Sequence, residues 1–306
     1  MLPIIAKTLP FFVLIGLGYA AAATRFFGAE AAAVLTKFVF FFALSAMLFN
    51  FTATLEISAL TDWTFLGCYL LASVLVYALA TAVAVVRKQG AAVAAVEAQT
   101  AVIGNVGFLA IPMLVALFGE RAAAPVLMVL CVDLIVFGSV IVAVIVGSRG
   151  RLGLSTFGTI GMGLLKNPMV MSISAGLLWS LAGAPVPGPM ADFLDVLGSA
   201  ATPVALFAIG ASLAGKSAER ASVALWLSSL KLVVHPLVVA VFALFVFDIE
   251  PFAASMMIAT AAMPVAGNIY IIAQHYEVAP QRASTAILFS TVLSVVTLTF
   301  VLGWIG

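Results

Sequence analysis

Gly104-Asn105-Val106-Gly107, with Pro112 five residues further on, interrupts a long apolar stretch. Two glycines, an amide and a proline inside a membrane-spanning segment break a helix at bilayer depth. Irregular backbone in hydrocarbon leaves polar groups without water, so it persists only where it lines a cavity or is covered by protein. A second interruption reads Met263-Pro264-Val265-Ala266-Gly267-Asn268, and its Gly-Asn pair stands 163 residues after the first (104 to 267). Paired broken helices in the two halves of a chain point to a transporter binding site.

The surrounding composition fits a membrane. Of 306 residues, 65% are hydrophobic and 8% charged, and mean hydropathy is +1.28. Water-soluble domains carry about 25% charged residues. A net charge of +1 offers no bulk field for nucleic acid. Cys68 and Cys131 both lie in apolar runs, as small core residues do. Leu9 to Ala23 imitates a signal-peptide core, but only Lys7 precedes it and the apolar run starts near Leu2, so it reads as a first span.

Apolar segments of spanning length are read at 2–24, 32–54, 63–86, 93–118, 123–147, 167–184, 190–214, 221–247, 252–275 and 280–304. They lack the alternation of barrel strands and are too long for them, so the expectation is an all-α protein of ten transmembrane helices. Alternate connections hold Arg25; Arg87 and Lys88; Arg149, Arg151 and Lys166; Lys216 and Arg220; and Arg282. The others hold Glu56 and Asp62, Glu120 with Arg121, Asp192 and Asp195, then Asp248 and Glu250. Positive connections face the cytoplasm. Both termini are therefore expected outside, on the periplasmic face of a bacterial inner membrane. A shift of 163 residues carries spans one to five onto six to ten, and five is odd, so the halves form an inverted 5+5 repeat. The prolines do not superpose: Pro112 follows its Gly-Asn pair and Pro264 precedes its own.

The half-helices that start at the breaks present unpaired N–H groups and partial positive charge. If the fourth and ninth spans cross, these ends make an anion site without a full charge. Asn105 and Asn268 would satisfy loose backbone or bond a carboxylate. Asp133, Lys231 and His235 are ionisable residues within spans, which are costly there and usually functional. The 231/235 spacing puts Lys and His on one face. They serve either to carry a coupling proton and neutralise an anion, or as a buried Asp133–Lys231 pair holding two spans together. Glu97 is expected to face water, Gln99 to line the cavity, Lys7 and Lys37 to snorkel, and His275 to lie at the interface. Asn50-Phe51-Thr52 fits a glycosylation sequon, too near the membrane to carry weight.

Gly210-Ala211-Ser212-Leu213-Ala214-Gly215-Lys216-Ser217 satisfies the phosphate-loop pattern. That motif works between a strand and a helix, and here it ends a membrane span, so no nucleotide is expected. No zinc pair and no nucleophile with a base is present. The sequence implies no enzyme, metal or cofactor.

Gly104-Asn105-Val106-Gly107-Phe108 with Pro112, Lys166-Asn167-Pro168, Pro203 with Ala205-Leu206-Phe207-Ala208-Ile209-Gly210, and Lys231-Leu232 through Pro236 together resemble the auxin efflux carrier family. That family includes bacterial malonate-type permeases and is similar in fold to plant auxin exporters and bile-acid sodium symporters. The resemblance implies a scaffold of spans one, two, six and seven (residues 1–54 and 167–214). It implies a moving transport domain of spans three to five and eight to ten (63–147 and 221–304), with 148–166 as a cytoplasmic linker. Asn105 and Asn268 are then the crossing amides, and Pro112 and Pro264 the helix-breaking prolines. Gly104, Gly107, Gly267, Ser45 and Pro203 complete the candidate substrate-site residues. Ser45 stands where the family commonly has proline, leaving the second span less kinked. Beside Asn268 stand Gly267 and Ile269, so no sodium site like that of the bile-acid symporters is evident.

The reading is a secondary transporter of elevator type for a small organic anion, a mono- or dicarboxylate. A proton or sodium as coupling ion, and the direction, stay open. The resemblance suggests a scaffold-mediated homodimer. An anion channel or a non-transporting membrane sensor on the same broken helices is the alternative.

Overall fold

The computed structural model describes the backbone of residues 2–55, 60–150, 154–214 and 221–305. The side chains of Lys7, Glu56, Arg151, Lys216 and Arg220, used above for orientation and snorkelling, lie outside what is described, as does the end of the phosphate-loop-like run.

The described chain is helical. In order come α1 (Leu2–Ala23), α2 (Ala29–Thr54), α3 (Trp63–Val86), α4 (Ala91–Val102), α5 (Val106–Phe118), α6 (Glu120–Ser148), α7 (Leu154–Leu165) and α8 (Pro168–Leu181). Then follow α9 (Gly188–Leu213), α10 (Ala221–Val246), α11 (Pro251–Ala261), α12 (Asn268–His275) and α13 (Pro280–Ile305). Six of them, α2, α3, α6, α9, α10 and α13, are long and apolar enough to cross a membrane. The stretches read as single spans at 93–118 and 252–275 are each two shorter helices. The run 148–166, expected to be a linker, carries the twelve-residue helix α7 and reaches α8 through Lys166 and Asn167. The sixth span is shorter than expected, at fourteen residues. The phosphate-loop pattern fails where it is described: Gly210 to Leu213 are the last turn of helix α9, with no strand before them.

Local chemistry sets many of the helix starts. Proline stands in the first turn of α8, α11 and α13, where its missing N–H costs no hydrogen bond. Asp62 caps α3 by accepting from Phe65 N at 3.0 Å, and Asn167 caps α8 by accepting from Met169 N at 2.9 Å. Glu250 caps α11 through Phe252 N and Ala253 N, and these two donors hold its carboxyl below the usual carboxylate range. Its contribution is therefore present above ordinary carboxylate titration and is lost as pH falls through the lowered value.

The helices pack in two sets of neighbours. In the first, α1 lies along α9, α8 lies along α2, and α9 also packs on α2. Small residues allow the approach. A Cβ on Gly18 would strike the Phe207 carbonyl, one on Gly210 the Ile15 carbonyl, and one on Gly176 Thr52 and the Phe49 carbonyl. Lipid gives helices no hydrophobic reason to associate, so close backbone packing supplies much of the attraction. In the second set, α3, α4, α6, α10, α11 and α13 enclose a core that includes Phe65, Tyr69, Leu127 and Ile141. Between the sets, α5 meets α9, and α1 meets α13. Phe40 of α2 stacks on Phe108 of α5, with ring centroids 6.1 Å apart.

Five stretches widen from α to π geometry: Val39–Ala43, Val106–Ala110, Val132–Phe137, Leu230–Val234 and Phe242–Val246. Such turns gather at functional sites.

The glycine contacts give a direct test. Gly210→Leu should lower the melting temperature in detergent, since overpacking costs about 1–3 kcal/mol or more. Gly16→Leu, whose added Cβ would meet nothing within 4 Å, should leave it nearly unchanged.

Candidate functional site

The two interruptions meet. α4 ends at Val102 because Ile103 turns to extended backbone (φ −80°, ψ 115°), and α11 ends at Ala261. Gly104 and Val265 then form an isolated antiparallel bridge. Asn105 N donates to the Pro264 carbonyl at 2.7 Å, and Ala266 N donates to the Ile103 carbonyl at 3.1 Å. Val265 N donates to Ser290 Oγ of α13 at 3.0 Å. Each break thus supplies the partners its counterpart lacks, as buried backbone requires. Pro264 fits because its carbonyl is used and it has no N–H to satisfy.

The glycines have different roles. A Cβ on Gly104 would come within 3.2 Å of Lys231 Cε and of Met263 Cβ, so the bridge closes over a lysine stem. A Cβ on Gly107 would strike Met169 of α8. Gly267 adopts ordinary helical angles (φ −66°, ψ −25°) with nothing within 4 Å of an added Cβ. Asn105 is 9% exposed and its carbonyl accepts from Leu109 N and Ala110 N, both at 3.1 Å. Asn268 opens α12 and is exposed.

Three expected residues lie away from the bridge. Pro112 was read as a helix breaker, but it sits within the second half-helix α5, whose first turn is already π-helical. It stands in the first turn of the α-helical run Ile111–Phe118, where a missing N–H is best tolerated. Ser45 is half-buried and donates to the Phe40 carbonyl at 3.0 Å, and α2 runs on without a break. Pro203 is exposed on α9.

The ionisable residues gather under the second break. Lys231 is fully buried, and its Nζ donates to the carbonyl of Ala261, the last residue of α11. An ammonium there answers the partial negative charge of a helix C-terminus. Glu250 answers the opposite end, so the eleven-residue α11 has both poles compensated. Lys231 Nζ also lies 3.2 Å from His235 Nδ1, and His235 Nε2 lies 3.0 Å from Ser73 Oγ. With Lys231 charged, its ammonium only donates, so Nδ1 accepts and the proton of a neutral imidazole sits on Nε2, facing Ser73.

Asp133 is held elsewhere. Tyr69 OH donates to its Oδ1 at 2.8 Å, while Oδ2 has no partner among the described residues. The Tyr69 and His235 rings are 5.9 Å apart. No Asp133–Lys231 ion pair within 4.0 Å occurs among the described residues. Two hydrogen-bonded pairs, Asp133 with Tyr69 and Lys231 with His235, thus meet across the Tyr69–His235 ring contact with Ser73 beside them, and together make one buried polar relay. Gln99 is 2% exposed, and its Oε1 has no partner among the described residues.

Glu97 does not face water. It is fully buried and accepts from both Arg87 and Arg282, while Arg282 Nη2 donates to Gln89 Oε1 at 2.9 Å. This clamp ties α4 to the end of α3 and the start of α13. His275 is exposed beside Tyr276, and Lys37 is exposed on α2. The Asn50 amide of the sequon donates to Asp195 Oδ1 at 2.7 Å, and Thr52 is buried.

Tyr69, Ser73 and Ser290 were not anticipated. Positions 69 and 73 share a helix face, as 231 and 235 do, and two hydroxyls one turn apart in an apolar span were the available signal.

With this geometry in view, a model of the family described as "Membrane transport protein" matches residues 3–156 and 153–302. The chain belongs to the membrane transport protein family. A protein of Rhizobium meliloti (strain 1021) described as a "Putative malonate transporter" is 29% identical over 303 residues, covering 98% of this chain and 95% of that relative. The resemblance to auxin efflux carriers therefore holds. Membership in the membrane transport protein family makes the chain a multi-pass integral membrane protein and points to transport rather than catalysis.

Lys231→Met should destabilise the protein by about 1–3 kcal/mol, because it strands a buried carbonyl and an imidazole nitrogen. Thermal unfolding in detergent measures this. His235→Phe made together with it should cost less than the sum of the two single changes.

Proposed function

We propose that the protein is a secondary active transporter for a small organic anion, a mono- or dicarboxylate with malonate first among the candidates. The observation that carries this reading is the hydrogen-bonded bridge at Gly104 and Val265, which joins two interrupted helices. The N-terminal ends of α5 and α12 start beside it, each next to an asparagine. They offer N–H groups and partial positive charge to a carboxylate. The open space at Gly267 and the exposure of Asn268 support a substrate site that is reached from that side. The relative's description as a malonate transporter supports the substrate class.

In this reading α4 with α5, and α11 with α12, are each one interrupted span, and the chain has ten spans in an inverted 5+5 repeat. The packing supports it: the shift that maps spans one and two onto six and seven turns the α1–α9 contact into the α8–α2 contact, and both are close. Helices α1, α2, α8 and α9 form the scaffold. Helices α3 to α6 and α10 to α13 form the transport domain, which moves as an elevator. The buried relay and the Glu97 clamp lie wholly within that moving body and would keep it rigid. Gly107 against Met169 and Phe40 against Phe108 lie on the sliding surface. The positive connections set both termini outside the inner membrane. The relay is the route by which a proton would couple, and sodium is the other coupling ion to test. The scaffold's outer face is where a homodimer would form.

Purified protein in liposomes should show saturable malonate uptake and counterflow. Asn105→Ala and Asn268→Ala should each lower the rate by about tenfold or more, the scale of losing a preorganised donor, while the folded protein stays in the membrane. A channel would show uptake without counterflow, and a sensor would show neither. If Asp133 couples a proton, Asp133→Asn should abolish the dependence of rate on pH; an unchanged profile removes it from coupling.

A further inference from the structure

A cleft of about 280 Å³ opens between α2, α5 and α9. Pro112 and Val115 of α5 form an apolar wall, and Asn50, Asp195, Ser199 and Thr202 supply the polar side. Asp195 is the one ionisable side chain among the lining residues. Its only described partner is the Asn50 amide at 2.7 Å. That donor is uncharged, so the full negative charge remains. No lysine, arginine or histidine lies within 4.0 Å of it among the described residues, whose ion pairs all involve Glu97. Asp192, one turn earlier and also exposed, adds a second negative charge on the same helix. An apolar wall opposite a charge focuses its field across the cleft.

For a protein that moves anions, an uncompensated carboxylate in this cleft works against its own substrate. The cleft lies between helices assigned above to the scaffold and a half-helix assigned to the moving body, so it changes shape in every cycle. Resting on the transporter reading, we infer that Asp195 is a specificity-determining residue, which grades incoming anions by charge and disfavours a dianion relative to a monoanion of the same shape. Coulomb repulsion scales with the charge of the anion. At separations of roughly 6 Å in a wet cleft at ~0.1 M salt it amounts to about twofold in affinity per unit charge, hence about fourfold for a dianion.

Malonate and its monoamide make a matched pair, a dianion and a monoanion of nearly equal size. In proteoliposomes at pH 8, the half-saturation concentration of malonate and the half-inhibition concentration of the monoamide are measured for wild type, Asp195→Asn and Asp195→Glu. Asp195→Asn keeps the acceptor for Asn50 and removes the charge. It should tighten malonate about fourfold and the monoamide about twofold. The wild-type preference should shrink as salt rises, and Asp195→Glu should behave as wild type. Equal changes for both anions, or none, overturn the inference while wild-type counterflow leaves the transporter reading standing. Absence of wild-type counterflow removes that reading and this inference with it.

Discussion

A peptide group in hydrocarbon has no water to bond, and a helix that stops there exposes several at once. The bridge between Gly104 and Val265 answers that constraint: each interruption pairs the backbone of the other. Ser290 Oγ satisfies the one remaining N–H of the bridging strandlet, and Lys231 satisfies the last carbonyl of α11. The surrounding features follow from keeping those bonds in place. Gly104 leaves room for the lysine stem, His235 and Ser73 hold the ammonium's neighbour, and Glu97 fixes the α4 half-helix between two arginines.

The two interruptions are not equivalent. On the first side Gly104 is packed tightly and Asn105 is almost covered; on the second, Gly267 meets open space and Asn268 is exposed. One is therefore a closed joint and the other a lip. The first side fixes the register between the half-helices, while the second leaves its amide accessible.

Much of this was legible in the sequence. Glycine, asparagine and proline in an apolar run cannot remain regular helix, so both breaks could be located to within a residue or two, and the family signature followed from them. The partners were harder. Composition does not say which way a helix faces, so Glu97 read as solvated although two arginines from other helices reach it. Asp133 and Lys231 read equally as coupling groups or as a buried pair; their hydrogen bonds go to Tyr69 and to His235 and Ala261, neighbours that only the packing of α3, α6, α10 and α11 supplies. Pro112 marks the right span but not the break itself, because it stands in the first turn of the α-helical run that follows. The helix between 154 and 165 was hidden by its glycines and serines, which read as loop.

Widened turns lie at the start of α5 and around Asp133 and Lys231, and each represents one residue more than a regular helix would need. An α-helix turns about 100° per residue. A chain lacking a single residue within Val132–Phe137 could close that turn to regular helix while α6 beyond it kept its facing, because the wide turn absorbs the extra residue instead of passing its rotation on. The extra residue between Pro125 and Gly138 therefore shapes the backbone carrying Asp133 and leaves the direction of the helix that follows untouched.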